Sequence, residues 1–140
     1  MANAPYIALA DDDDDDQEML VRRILKSHPD IPFKLFKDGL EIIRYLEACP
    51  TSDLPTILIL DYKMPIQNGS EVLKALQADN RYNAIRKIVW STSGNSQYVA
   101  ECIQYGAEKY FTKPNNIQQL DDIAAEISDI FFSTQTAGNG

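Results

Sequence analysis

TILILD, residues 56–61, is the stretch that decides the fold. Ile57 to Leu60 are aliphatic without interruption, so no face of the run is left for water. Such a run suits a short strand covered on both sides. It ends on Asp61 and continues as YKMPIQNG, residues 62–69, where proline and glycine mark a turn. A carboxylate adjoining so apolar a strand is costly unless something compensates it.

The same arrangement recurs on both sides. YIALA (6–10) runs into Asp11 and Asp12, KIVW (87–90) into Ser91, and KYFT (109–112) into Lys113. Phe33 to Phe36 reads as a further brief strand. Between the strands, apolar residues recur at helical spacing. Met19, Leu20, Ile24 and Leu25 precede a stop at His28-Pro29. Leu40, Ile42, Ile43 and Leu46 follow a cap at Asp38. Val72, Leu73 and Leu76 follow a predicted cap at Ser70. Gln97 to Tyr105 ends at Gly106, and Ile117, Leu120, Ile123, Ala124, Ile127 and Ile130 form the strongest stripe. Alternation of this kind predicts an α/β fold, a parallel sheet with helices on both faces. The polar residues at the strand ends would then gather at one edge, where open sheets of this type bind ligands.

With 140 residues the chain is long enough for one domain with a proper core. We place that domain at residues 5–132 and expect residues 133–140, STQTAGNG, to be a disordered tail. A net charge of −8 argues against nucleic acid and against an anionic membrane surface. Cys49 and Cys102 lack metal-type spacing and read as reduced thiols. The N-terminal ten residues do not resemble a signal peptide, and no apolar run approaches membrane-spanning length. A cytoplasmic location is expected.

Asp11 to Asp16 form an unbroken acidic run. Charge runs usually lie in solvated tails, but this one is wedged between a buried strand and an amphipathic helix. Asp14 to Asp16 suit the first helical turn, where acidic groups complement the helix dipole. Asp11 and Asp12 need another role, with Asp13 in reserve because register within a homopolymer is uncertain by one residue. Together with Asp61 they make an oxygen-only set suited to Mg²⁺.

The order and spacing of the acidic pair, DYKMPIQNG, Ser91 and GAEKYFTKP (106–114) resemble the response-regulator receiver domain of two-component signalling. The resemblance covers Tyr6 to Phe132. It implies a doubly wound, flavodoxin-like sheet of order 2-1-3-4-5, with Asp61 as phosphoacceptor from a histidine kinase or phosphotransfer protein. It further implies Mg²⁺ held by Asp11, Asp12, Asp61 and the backbone carbonyl of Lys63. Lys113 and Ser91 would meet phosphoryl oxygens, and Ser91 with Tyr110 would act as the switch that alters contacts with a downstream target protein. A cis peptide before Pro114 belongs to the same expectation, as does a docking role for the first helix, and a homodimer is left open.

Two positions depart from the pattern. Lys63 lies beside the phosphoacceptor and is expected to modulate phosphoryl lifetime, while Thr92 is bulkier than the small residue often found there. Two rival readings remain at this stage. An Mg²⁺-dependent phosphohydrolase with an aspartyl nucleophile commonly carries a second carboxylate two residues on, where this chain has Lys63. A receiver-shaped adaptor would act without phosphorylation. His28 is given no catalytic role, and Trp90 is read as core with potential as a fluorescent reporter of Ser91.

Overall fold

Period-two alternation along each strand divides the core into two layers. The computed structural model describes residues 4–139, with side chains to residue 134. Five parallel strands, β1 (Ile7–Ala10), β2 (Phe33–Phe36), β3 (Ile57–Leu60), β4 (Arg86–Ser91) and β5 (Lys109–Thr112), pair in the order β2-β1-β3-β4-β5. Five helices alternate with them: α1 (Asp14–Ser27), α2 (Gly39–Ala48), α3 (Gly69–Gln77), α4 (Ser96–Gln104) and α5 (Ile117–Asn139). This is the sheet and the order expected from the sequence.

Ile7 and Leu9 of β1, Ile57 and Ile59 of β3, and Ile88 and Trp90 of β4 face one way. They pack with Leu20 and Ile24 of α1 and with Leu120, Ile123, Ala124, Ile127 and Phe131 of α5. Ala8, Ala10, Leu58, Leu60 and Val89 face the other way, onto α2, α3 and α4. Every residue of β1 and β3 is buried, which explains why neither strand carries a polar position. Cys49 and Cys102 are both free and buried.

Caps set the helix boundaries. Asp38 accepts from the Glu41 amide, as anticipated. The α3 cap is Asn68 rather than Ser70: its side chain accepts from Glu71 N while Glu71 returns a bond to the Asn68 amide. That reciprocal pair satisfies two otherwise orphaned donors, which a lone Ser70 hydroxyl would not. Gly106 follows α4 with φ +102°, the left-handed position glycine occupies most easily.

Two further expectations are corrected. The peptide bonds among the described residues are all trans, Lys113–Pro114 included. Lys113 is aimed inward instead by strand parity, since Lys109, Phe111 and Lys113 alternate onto the α1/α5 side. The second correction concerns α5, which runs to Asn139 and so includes most of the segment expected to be disordered. Ser133 and Thr134 hydroxyls bond back to the Ile130 carbonyl, and Thr134 also accepts from Arg86, tying the extension to β4. Gly140 lies outside the described residues.

The β3–α3 turn is tight. A Cβ on Gly69 would lie 2.6 Å from the carbonyl oxygen of Asp61. Since the obstacle is backbone, Gly69→Ala should lower stability by roughly 1–3 kcal/mol, measured by urea unfolding. It should also displace Asp61 itself, visible as altered amide chemical shifts at positions 61–63.

Candidate functional site

Parity also decides which polar residues meet. Continuing each register past the strand ends keeps Asp11, Asp61 and Lys113 on the α1/α5 side of the sheet. Ser91 and Tyr110, one step out of phase, turn toward α4. The carbonyl-side edge of the sheet therefore carries two adjoining clusters.

The first cluster centres on the Lys113 ammonium, which donates to Asp16 Oδ2 at 2.7 Å, Asp11 Oδ2 at 2.9 Å and Asp61 Oδ2 at 3.1 Å. Its side chain is only 6% exposed, so these carboxylates replace water for all three of its N–H groups. Asp11 and Asp61 are buried, whereas Asp12 is exposed. Asp11, Asp12 and Asp61 each offer a carboxylate oxygen, and these oxygens all lie within 4.8 Å of one another. Such a dense, oxygen-only set suits a hard divalent cation, and the residues present fit one.

Register within the acidic run is settled by the cap. Asp13 accepts from Asp16 N and starts α1, while its own amide donates to Asp11 Oδ1 at 2.9 Å. Asp13 is thus a structural residue, leaving Asp11 and Asp12 beside Asp61. Asp16 was expected merely to decorate the helix dipole, yet it makes the shortest of the Lys113 contacts. A signal was available: Asp16 stands four residues before the fully buried Leu20 and next to the buried Gln17, on the core-facing edge of the helix. Asp14 does remain at the surface, paired with Lys37.

The second cluster holds the remaining residues singled out from the sequence. Ser91 is buried, its hydroxyl accepting from Ser93 N at 3.3 Å and its carbonyl from Lys113 N at 2.7 Å. Tyr110 is half-buried and donates its hydroxyl to the Ser93 carbonyl, in the loop after β4. Burial raises the Tyr110 pKa, opposed by the nearby Ser91 hydroxyl. Tyr62 stacks on Tyr98 of α4 with centroids 4.1 Å apart and donates to Glu101 at 3.3 Å. Sequence reading overlooked this pair. Thr92 and Lys63 are exposed at the rim, the Lys63 amide donating to Asp61 Oδ1 at 3.3 Å.

A family model described as the response regulator receiver domain matches residues 7–125. The chain belongs to that family. It is 26% identical over 139 residues to the response regulator Rcp1 of Synechocystis sp., spanning 96% of this chain and 95% of that protein. It is 31% identical over 105 residues to the chemotaxis protein CheY1 of Helicobacter pylori strain J99, spanning 73% of this chain and 83% of that one. Among solved structures, the phosphorylated cyanobacterial phytochrome response regulator RcpA superposes with a TM-score of 0.83 at 26% identity, over 94% of this chain and 96% of that one. The Mn²⁺-bound form of Rcp1 gives a TM-score of 0.78 at 25% identity, over 89% and 91%. The flavodoxin-like receiver fold is therefore shared along almost the whole chain.

Electrostatics of this receiver site are unbalanced without a cation. Burial pushes the Asp61 carboxyl up to about 6, and the neighbouring Asp11 charge adds to the rise, against the attraction of Lys113. Lys113 itself is held strongly protonated. Burial opposes its charge, but hydrogen bonds to Asp11 and Asp16 and the charge of Asp61 together prevail. One ammonium shared among three carboxylates cannot fully compensate any of them.

A raised carboxyl pKa has a definite sign in stability. Below the unfolded value of 3.8 both states are protonated and nothing is lost. Between there and about 6 the unfolded chain ionises more readily than the folded one, and above that the penalty is constant. Metal-free Asp61→Asn should therefore be more stable than the native chain by about 1–3 kcal/mol at pH 8. The advantage should fade below pH about 4, as followed by denaturant titrations across that range. An equal difference at both ends of the range would refute the stated electrostatic cause.

Proposed function

We propose that Asp61 accepts a phosphoryl group from a phosphohistidine of a histidine kinase or phosphotransfer protein, in a reaction dependent on Mg²⁺. The observation that carries this reading is Lys113, buried and bonded to Asp61 beside a set of close-packed carboxylates. A carboxylate oxygen of Asp61 attacks phosphorus, the P–N bond breaks, and the imidazole leaves with its electron pair to be protonated. Two anionic groups must approach, so the barrier is largely electrostatic.

Asp11, Asp12, Asp61 and the Lys63 carbonyl are the groups that would hold Mg²⁺, which would supply charge neutralisation when bound. The Lys113 ammonium would transfer one of its N–H bonds from a carboxylate to a phosphoryl oxygen. The Ser91 hydroxyl would donate to another. Moving Ser91 would change its contacts with Tyr110 and the loop after β4, altering the α4–β5–α5 surface offered to a downstream protein. Thr92, at the rim, would limit access. We infer a cytoplasmic setting for this exchange. No described helix is long and apolar enough to cross a membrane.

Incubation with acetyl phosphate and Mg²⁺ should add one phosphoryl group to the native chain, seen by intact mass, and none to Asp61→Asn. Chelation should suppress the adduct. No adduct on the native chain would favour a phosphorylation-independent adaptor, and rapid turnover of varied phosphate esters a hydrolase.

Lys63 is exposed two residues from the acceptor, where its side chain can lie against the phosphoryl group and obstruct water. Lys63→Ala should change the first-order loss of the adduct severalfold at unchanged pH. Identical decay rates for the two proteins would remove Lys63 from the lifetime assignment.

A further inference from the structure

Trp90 is the chain's single tryptophan and heads its fully buried side chains in volume. Its place in the core, among Ile88, Leu9 and the α1/α5 residues, would be filled as well by a purely apolar ring. A buried indole N–H needs an acceptor. Here the acceptor is no backbone carbonyl but the carboxylate of Asp11, at 3.2 Å from Nε1 to Oδ2. The face of the same ring lies 5.6 Å from the Lys113 ammonium, within the range of a cation–π contact. One side chain thus touches an anion through its edge and a cation through its face.

The Asp11 carboxylate accepts hydrogen bonds on both of its oxygens. Oδ1 accepts from Asp13 N, and Oδ2 accepts from both Lys113 and Trp90. Both Asp11 and Trp90 have no solvent exposure. Lys113 is shared with Asp16 and Asp61, so it cannot define the orientation of Asp11 by itself. The Asp13 amide holds only the opposite oxygen. The indole N–H is the donor committed to Asp11 alone on Oδ2.

We propose that Trp90 is a positioning residue for the divalent cation site: it presets the Asp11 carboxylate through its N–H and keeps the Lys113 ammonium beside Asp11 and Asp61 through its face. The proposal rests on the reading of Asp11, Asp12 and Asp61 as cation ligands. Hydrogen-bond partners behind a metal ligand typically change affinity ten- to a hundredfold when removed. Removal of the N–H alone should fall at the lower end, because Asp13 and Lys113 remain.

Since Trp90 has no sequence duplicate, its chemistry can be altered at one site by biosynthetic replacement of tryptophan with benzothienylalanine. Sulfur then stands where the N–H was, and the ring's shape and face persist. Mn²⁺ binding is read directly by the paramagnetic resonance of the free ion, with Mg²⁺ as competitor, alongside metal-free thermal unfolding. We expect Kd to rise about tenfold for Mn²⁺ and for Mg²⁺. A merely structural role would shift the unfolding midpoint and leave Kd unchanged, and that pattern would overturn the proposal. Trp90→Phe, which also lacks the N–H, gives a second route should the analogue protein fail to fold, and equal Kd there would overturn the proposal equally. If the native chain itself binds neither ion, the cation site falls and this role with it, a result distinct from equal binding by native and substituted protein.

Discussion

Compensation of buried charge at the edge of the sheet is the constraint on which the site depends. Asp11 and Asp61 follow the two fully buried strands, so both carboxylates are drawn into the low-dielectric end of the core. Carboxylates so close repel one another, and the repulsion grows as water is excluded. Lys113 arrives from the far side of the sheet, two strands away from β3, to meet both. Its ammonium has only three donors, and all are taken, one of them by Asp16. The fold thus leaves an excess of negative charge that its own residues do not neutralise. Under the proposed reading, affinity for a cation would draw on that same excess.

Strand parity then separates the charged cluster from the cluster of hydroxyls and aromatic rings. Residues in phase with Ile57 and Ile59 lie toward α1 and α5, and these include the charged groups and Trp90. Residues in the opposite phase, Ser91 and Tyr110, join the Tyr62–Tyr98 stack and Glu101 on the α4 side. Asp61 lies with the charged groups, bonded to Lys113, while Tyr62, the next residue, belongs to the α4 side. Under the proposed reading, no long pathway is required, since the two clusters share the ends of β3 and β4. Tyr110 is already bonded to the Ser93 carbonyl, so the loop after β4 and β5 form one mechanical unit before any phosphoryl group is added.

β1, β3 and β4 were legible because burial on both faces leaves an unmistakable apolar run, and the polar residue after it falls where the α/β architecture puts its ligands. Asp11, Asp12, Asp61 and Lys113 could therefore be singled out from their positions in sequence, and the structure brings them together. Asp16 was hidden by the uniformity of the acidic run, where identity conveys nothing and only phase relative to Leu20 distinguishes one aspartate from the next. The acceptor for Trp90 was invisible for a different reason: a buried indole announces its need for a partner, but the partner lies on a strand two places away in the sheet. The length of α5 escaped notice because small polar residues at 133–137 carry no apolar stripe, although nothing before Gly138 forbids helix.

The turn after Asp61 shows how rigidly that carboxylate is framed. Ile66 has φ 71°, and the Gln67 amide donates to the Pro65 carbonyl at 2.8 Å, which together make a positive-φ γ-turn. A β-branched residue there is strained, at an expense on the order of 1–3 kcal/mol. The residue is 68% exposed, so core burial offers little compensation. The strain persists because both sides of the turn are pinned. Met64 is buried before it, and beyond it the Asn68–Glu71 box closes while Gly69 N donates to the Tyr62 carbonyl at 2.8 Å. A turn so fixed cannot relax cheaply when charge is added at Asp61. The loop after β4 is held chiefly by side-chain bonds, through the Ser91 and Ser93 hydroxyls, Tyr110 and the Asn95 cap. Under the proposed reading, a response to the phosphoryl group would appear there, on the α4 side, and the backbone at positions 61–69 would stay in place.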